Sequence, residues 1–215
     1  MNKELLFEHD PNHKAESLRV FLSANPEAEL VSQLTGIVAR LRRELELGLD
    51  QDTSIRWTRS NQFHVTLLFL GSLQLSLVND LKRRLSTLTR LRLAPPQILL
   101  HGFGCFPAFN RPRVIWIGVT TDRAFRTLQR VMLREIGEPF GIAFRDLSYP
   151  HLTIARMPTT RPLPTKPIQK LQEILGTVDF PALPWKLGSI CLMRSVPASH
   201  GPDYNCLAEY PLGDE

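Results

Sequence analysis

The sequence predicts an α+β fold with largely antiparallel strands, and three observations carry that expectation. Short strand-like runs stand next to one another instead of alternating strictly with helices. The helical segments between them keep apolar residues at a 3.6-residue period. Finally, a His-x-Thr-aliphatic pattern occurs at Phe63-His64-Val65-Thr66-Leu67 and again at Pro150-His151-Leu152-Thr153-Ile154, each on a predicted strand and each followed by a helical segment. A repeat near half the chain length is what two similar lobes would produce.

Taken in order, residues 1–17 lack periodicity and are expected to form a flexible extension, with a single bilobal domain over 18–215. Leu18–Ser23 alternates and reads as the first strand. Asn25-Pro26 offers an N-cap and a first-turn proline to a helix carrying Leu30, Leu34, Ile37, Val38, Leu41 and Leu45, with Gly48 as its stop. Strands follow at Ser54–Trp57 and Gln62–Leu70, then a helix over Leu75–Arg90. Gln97–Gly104 and Arg113–Thr120 read as strands, and Asp122 caps a third helix that Gly137 ends. Tyr149–Arg156 is a strand, Pro158–Pro167 a proline-rich surface loop, and Ile168–Leu175 a short helix. Strands at Lys186–Arg194 and Tyr204–Tyr210 complete the series.

Composition narrows the class. In 215 residues, 43% apolar and 22% charged side chains exclude disordered, collagen-like and disulfide-scaffold chains. No apolar run approaches the length of a membrane span. Residues 1–17 carry Glu4, Glu8, Asp10 and Glu16 without an apolar block, which does not fit a signal peptide. Cys105, Cys191 and Cys206 form no C-x-x-C pair and read as thiols of a reducing cytosol; the expected location is cytoplasmic, and the expected state monomeric. Of 26 basic residues 20 are arginine, which favours bidentate contacts to phosphate and raises the prospect of a nucleic-acid partner.

The two His-x-Thr strands carry the chemistry. Chance alone gives about 0.4 copies of the tripeptide, so context must strengthen it. Residues i and i+2 of a strand share a face, so His64 and Thr66 point one way while Val65 and Leu67 point the other. The same holds for His151 and Thr153 against Leu152 and Ile154. If the lobes pair about a pseudo-twofold axis, two imidazoles and two hydroxyls meet across one cleft. That set suits phosphoester hydrolysis, with one neutral imidazole taking a proton from water and one imidazolium protonating the departing oxygen. Hydroxyls and guanidinium groups would hold the phosphate oxygens.

These residues also resemble a known family. The chain is similar to the 2H phosphoesterase superfamily, specifically the bacterial and archaeal RNA 2′,3′-cyclic phosphodiesterases, also called 2′-5′ RNA ligases. The matching segments are Leu18-Arg-Val-Phe-Leu, Phe63-His-Val-Thr-Leu-Leu-Phe-Leu-Gly71, Gly102-Phe-Gly-Cys-Phe-Pro107, Arg111-Pro-Arg-Val-Ile-Trp-Ile-Gly118, Pro150-His-Leu-Thr-Ile-Ala-Arg156 and Leu207-Ala-Glu-Tyr-Pro-Leu212. The resemblance implies two pseudo-symmetric lobes, each an antiparallel sheet with outer helices, around a cleft between the sheets. It implies hydrolysis of 2′,3′-cyclic phosphate ends to 2′-phosphates without metal or organic cofactor, with reversible 2′-5′ ligation of ends such as tRNA halves. In that reading His64 is the general acid, His151 the general base, and Thr66 and Thr153 bind the phosphate.

Arg156 fits the family pattern as a further phosphate contact. In a regular strand, however, it lies five residues from His151 and faces away, so an ion pair competes with that role unless the strand bulges first. Phe63 and Phe106 are open between base stacking and core packing. His9 and His13 have metal-ligand spacing, but Pro11 between them and the lack of a third ligand point to a tail, and no metal site is expected. His101 reads as structural. The expected partner is RNA ending in a cyclic phosphate, or a cyclic nucleotide. Two alternatives stand beside this: an RNA-end-binding module without useful turnover, and a phosphodiesterase acting on a small cyclic phosphate.

Overall fold

A computed structural model describes residues 17–50, 53–89, 91, 93–141, 149–158, 163–198 and 201–213. All but Ser17 of the expected 1–17 extension, and His9 and His13 with it, lie outside these residues. Among the described residues nine strands form one antiparallel sheet: β1 (Ser17–Ala24), β2 (Arg56–Trp57), β3 (Val65–Gln74), β4 (Gln97–Phe106), β5 (Val114–Thr121), β6 (His151–Arg156), β7 (Leu183–Lys186), β8 (Ser189–Val196) and β9 (Asp203–Pro211). Their order is β7-β4-β5-β6-β3-β1-β8-β9, with β2 beside β6. Two halves, β7-β4-β5-β6 with β2 and β3-β1-β8-β9, therefore abut at β3 and β6, where Val65 stands opposite Leu152. The two His-x-Thr strands are the seam of the molecule.

Four α-helices among the described residues complete the α+β architecture: α1 (Ala28–Gly48), α2 (Leu75–Thr89), α3 (Arg123–Met132) and α4 (Thr165–Thr177). In α1 the residues Leu34, Ile37, Val38, Leu41 and Leu45 form the buried stripe. The helix starts later than the Asn25-Pro26 pair suggests, with Glu27 in the N-cap position. Asn25 is otherwise engaged: its Oδ1 accepts the hydroxyl of fully buried Ser23 at 2.8 Å. Asp122 does cap α3, accepting the Phe125 amide at 2.7 Å while its other oxygen accepts the Gln97 amide at 3.0 Å. Gly137 does not end that helical stretch. A wide turn over Leu133–Gly137 and a tight one over Glu138–Phe140 extend it to Gly141, where φ is +79° and a residue without a side chain is needed.

Two other expectations shift. The proline-rich loop ends earlier than Pro167, because α4 begins at Thr165 and a proline in a first turn forfeits no helical hydrogen bond. Residues 159–162 of that loop lie outside the described set. The single strand expected over Lys186–Arg194 is two strands broken at Leu187-Gly188; β7 pairs with β4 and β8 with β1, so the chain there crosses between the halves. One apolar core unites both halves, and Val65, Leu67, Leu152 and Ile154 are all fully buried in it. The opposite face at the seam carries Thr66 and Thr153, with Phe69 beyond them.

Candidate active site

His64 immediately precedes β3, and His151 opens β6. Both imidazoles are anchored in the same way. Nδ1 of His64 lies 2.8 Å from the Gln62 carbonyl, and Nδ1 of His151 lies 2.7 Å from the Tyr149 carbonyl. A carbonyl oxygen only accepts, so each Nδ1 carries the hydrogen and each Nε2 is left for the cleft. Gln62 acts twice, since its side chain also brackets the Tyr204 backbone, accepting from the Tyr204 amide at 2.9 Å and donating to its carbonyl at 3.4 Å. This clamp brings the start of β9 over His64. The Tyr204 ring meets the imidazole edge-on with centroids 4.9 Å apart, and Phe21 packs on it at 5.1 Å.

His64, Thr66, His151, Thr153 and Arg156 line one cavity of about 480 Å³, together with Arg19, Phe21, Phe69 and Tyr204. All five side chains singled out in the sequence thus come together. For Arg156 the reason is a bulge. Trp116 of β5 faces Thr153 and Ile115 faces Ala155, so Ile154 is left over; the extra residue reverses the parity and turns Arg156 to the cleft. Its guanidinium reaches the Tyr204 hydroxyl at 3.4 Å and has no carboxylate partner among the described residues.

Burial shapes the electrostatics. Desolvation lowers the His64 pKa to about 4, with Arg156 and then His151 adding to the depression against the Gln62 hydrogen bond. His151 is lowered too, by desolvation first and then by Arg156. In the free protein at neutral pH both imidazoles are therefore neutral, with unprotonated Nε2 atoms facing a positively charged surround. An anionic phosphate placed between them would reverse both effects.

The His151 side of the cleft is aromatic. Phe106 stands edge-on to His151 at 5.0 Å and packs against Trp116 at 5.1 Å. The indole lies over Gly104, where a Cβ would come within 2.3 Å of the ring, so glycine is required there. Phe63, by contrast, is buried in the core. His101 holds the Thr120 hydroxyl at 3.0 Å across the bare Gly118 and stands outside the cleft lining. Among the described residues no group of three or more His, Cys, Asp or Glu side chains could hold a metal ion. No described helix is long and apolar enough to cross a membrane.

Sequence reasoning did not single out Arg19, Phe21, Gln62, Phe69 or Tyr204. The first two were within reach, because alternation along β1 puts Arg19 and Phe21 on one face. Tyr204 had no local signal, since its place depends on β8 and β9 folding back beside β1.

A pairing of two antiparallel halves, with a His-x-Thr strand from each at the seam, defines a family. The chain belongs to the 2′-5′ RNA ligase superfamily, whose family model matches residues 32–197. It is 30% identical over 178 residues to the RNA 2′,3′-cyclic phosphodiesterase of Aeropyrum pernix, covering 82% of this chain and 95% of that one. To the protein of the same name from Thermotoga maritima it is 26% identical over 194 residues, 89% of this chain and 94% of the other. Its fold is similar to that of TT0787 of Thermus thermophilus, with a TM-score of 0.68 at 24% identity over 92% of this chain and all of that one. E. coli LigT, solved with 3′-AMP, superposes with a TM-score of 0.65 at 19% identity, covering 93% of this chain and 100% of that one.

Proposed function

We propose that this protein hydrolyses 2′,3′-cyclic phosphate ends of RNA to 2′-phosphates, with His64 and His151 as a general acid–base pair. The observation that supports it is the matched anchoring of the two imidazoles, one from each half, with both Nε2 atoms turned to a cavity that also holds Thr66, Thr153 and Arg156. The names of the relatives from Aeropyrum pernix and Thermotoga maritima point to the same reaction.

In this mechanism the hydroxyls of Thr66 and Thr153 and the Arg156 guanidinium hold the nonbridging phosphate oxygens. Nε2 of His151 takes a proton from water as its oxygen attacks phosphorus. The bond from phosphorus to O3′ breaks, and His64 delivers a proton to that oxygen, leaving a 3′-hydroxyl and a 2′-phosphate. The acid role needs a charged imidazole, which burial and Arg156 oppose in the free protein. The substrate's own negative charge offsets that penalty, so the proton on His64 is gained together with substrate. With a 5′-hydroxyl in place of water as the attacking group, the same steps would make a 2′-5′ linkage. No metal or organic cofactor takes part in these steps.

The test is turnover of cytidine 2′,3′-cyclic phosphate followed by ³¹P NMR. The expected product is the 2′-phosphate alone. Formation of the 3′-phosphate would reverse the bond that breaks, and absence of turnover would favour a module that only binds RNA ends.

A further inference from the structure

We propose that a second cavity beyond His64, lined by Arg56, Trp57 and Arg113, holds the nucleotide preceding the cyclic end, so that the protein acts on RNA strands in preference to mononucleotides. This rests on the cyclic-phosphate reading above and adds a binding site to it.

This second cavity measures about 410 Å³ and shares His64, Thr153, Arg156, Pro202 and Tyr204 with the first. His151 and Thr66 belong only to the first, so the reacting phosphate has its place there and the second space is an extension past Arg156. Its walls are basic and aromatic. Arg56 stands directly opposite Arg156 in the β2–β6 pair, and side chains so placed project to one face with Cβ atoms about 5 Å apart. Arg113 joins them from the residue before β5, where its carbonyl accepts the Met157 amide at 2.9 Å.

Three guanidinium groups therefore converge where like charges directly opposite one another are destabilising. Among the described residues neither Arg56 nor Arg113 has a carboxylate partner. Among the described residues lining this cavity the one carboxylate is Asp203, which Arg59 holds. A convergence of unpaired guanidiniums is relieved by an anion with several oxygens, and a phosphodiester fits their fork geometry. Trp57, half-buried and packed in part against the core, also contributes to the lining of this cavity. Indole with guanidinium is the combination that takes a base and its phosphate from a single strand without reading sequence.

The experiment measures binding of two product-type ligands by calorimetry over a range of salt: a 2′-mononucleotide, and a trinucleotide ending in a 2′-phosphate. The wild type should bind the trinucleotide at least about tenfold tighter, with the gap narrowing as salt rises, because each extra phosphate contact releases counterions. The double variant Arg56→Gln/Arg113→Gln should lose most of that gain while binding the mononucleotide within about twofold of wild type. Both positions are exposed, so folding should survive. Equal affinity of the wild type for the two ligands overturns the proposal. So does a variant that loses mononucleotide affinity in step, which would assign these arginines to the reacting phosphate itself. Failure of the underlying reading shows separately, as absence of cyclic mononucleotide turnover by a wild type that still binds the trinucleotide more tightly.

Discussion

Phe69 and Arg156 occupy equivalent places in the two halves, each three residues beyond the threonine of a His-x-Thr strand. In β3 the register runs from Ser23–Thr66 to Leu22–Leu68, leaving Leu67 over, as Ile154 is left over in β6. The bulge after the threonine thus recurs, and both Phe69 and Arg156 line the cavity with the imidazoles. The scaffold is repeated, but its chemistry is not: one half contributes a half-exposed ring and the other a guanidinium. An asymmetric pair of neighbours suits the different tasks proposed for the two histidines.

Replacing Arg156 should therefore act on both binding and titration. Arg156→Gln should lower kcat/KM by roughly one to two orders of magnitude through a lost charge-assisted phosphate contact. Because the guanidinium depresses both imidazoles, its removal should also move the kcat/KM optimum to higher pH. An unchanged optimum would show that Arg156 does not act on the pair.

The proposed catalytic pair should be strongly non-additive. His64→Ala and His151→Ala should each cost roughly two to four orders of magnitude in turnover, with the double variant little worse than either. A leaving group that needs no protonation should rescue His64→Ala and not His151→Ala. Rescue of His151→Ala alone would exchange the two roles.

Burial of neutral imidazoles sets the pH profile. With both groups below their ordinary value in the free protein, kcat/KM should peak at a pH below 6.5, whereas kcat should peak higher because bound phosphate favours the charged forms. A kcat/KM optimum above 7 would contradict the desolvated pair.

The same burial has a consequence for stability. A histidine whose folded pKa is lowered from 6.5 to about 4 binds fewer protons folded than unfolded in that interval, so stability is full above 6.5 and falls as pH drops toward 4. At pH 5 the loss from His64 should be about 2 kcal/mol. Urea unfolding of His64→Gln should show a smaller drop between pH 7.5 and pH 5 than the wild type does, and an equal drop would place the titration elsewhere.

Turnover should persist after exhaustive chelation, since the proposed mechanism uses only protein groups. Loss of activity in EDTA, restored by Mg²⁺, Mn²⁺ or Zn²⁺, would require a different mechanism.

Much of this molecule was legible in the sequence, because its signals are local. The alternation of His64-Val65-Thr66 and of His151-Leu152-Thr153 assigns faces within a strand, and the apolar stripe of α1 and the Asp122 cap of α3 depend on neighbours within one or two turns. What only the tertiary structure decided lies between distant segments. Nothing near Arg156 says that Ile154 will have no partner on β5, because a bulge is a property of two strands in register and not of one. Nor does Tyr204 announce that Gln62 will clamp it over His64, or Arg56 that it will face Arg156 across a two-residue strand. Periodicity determines which side of its own strand a residue takes; pairing decides where that side points and what meets it there, because the hydrogen bonds that set register join residues far apart in the chain.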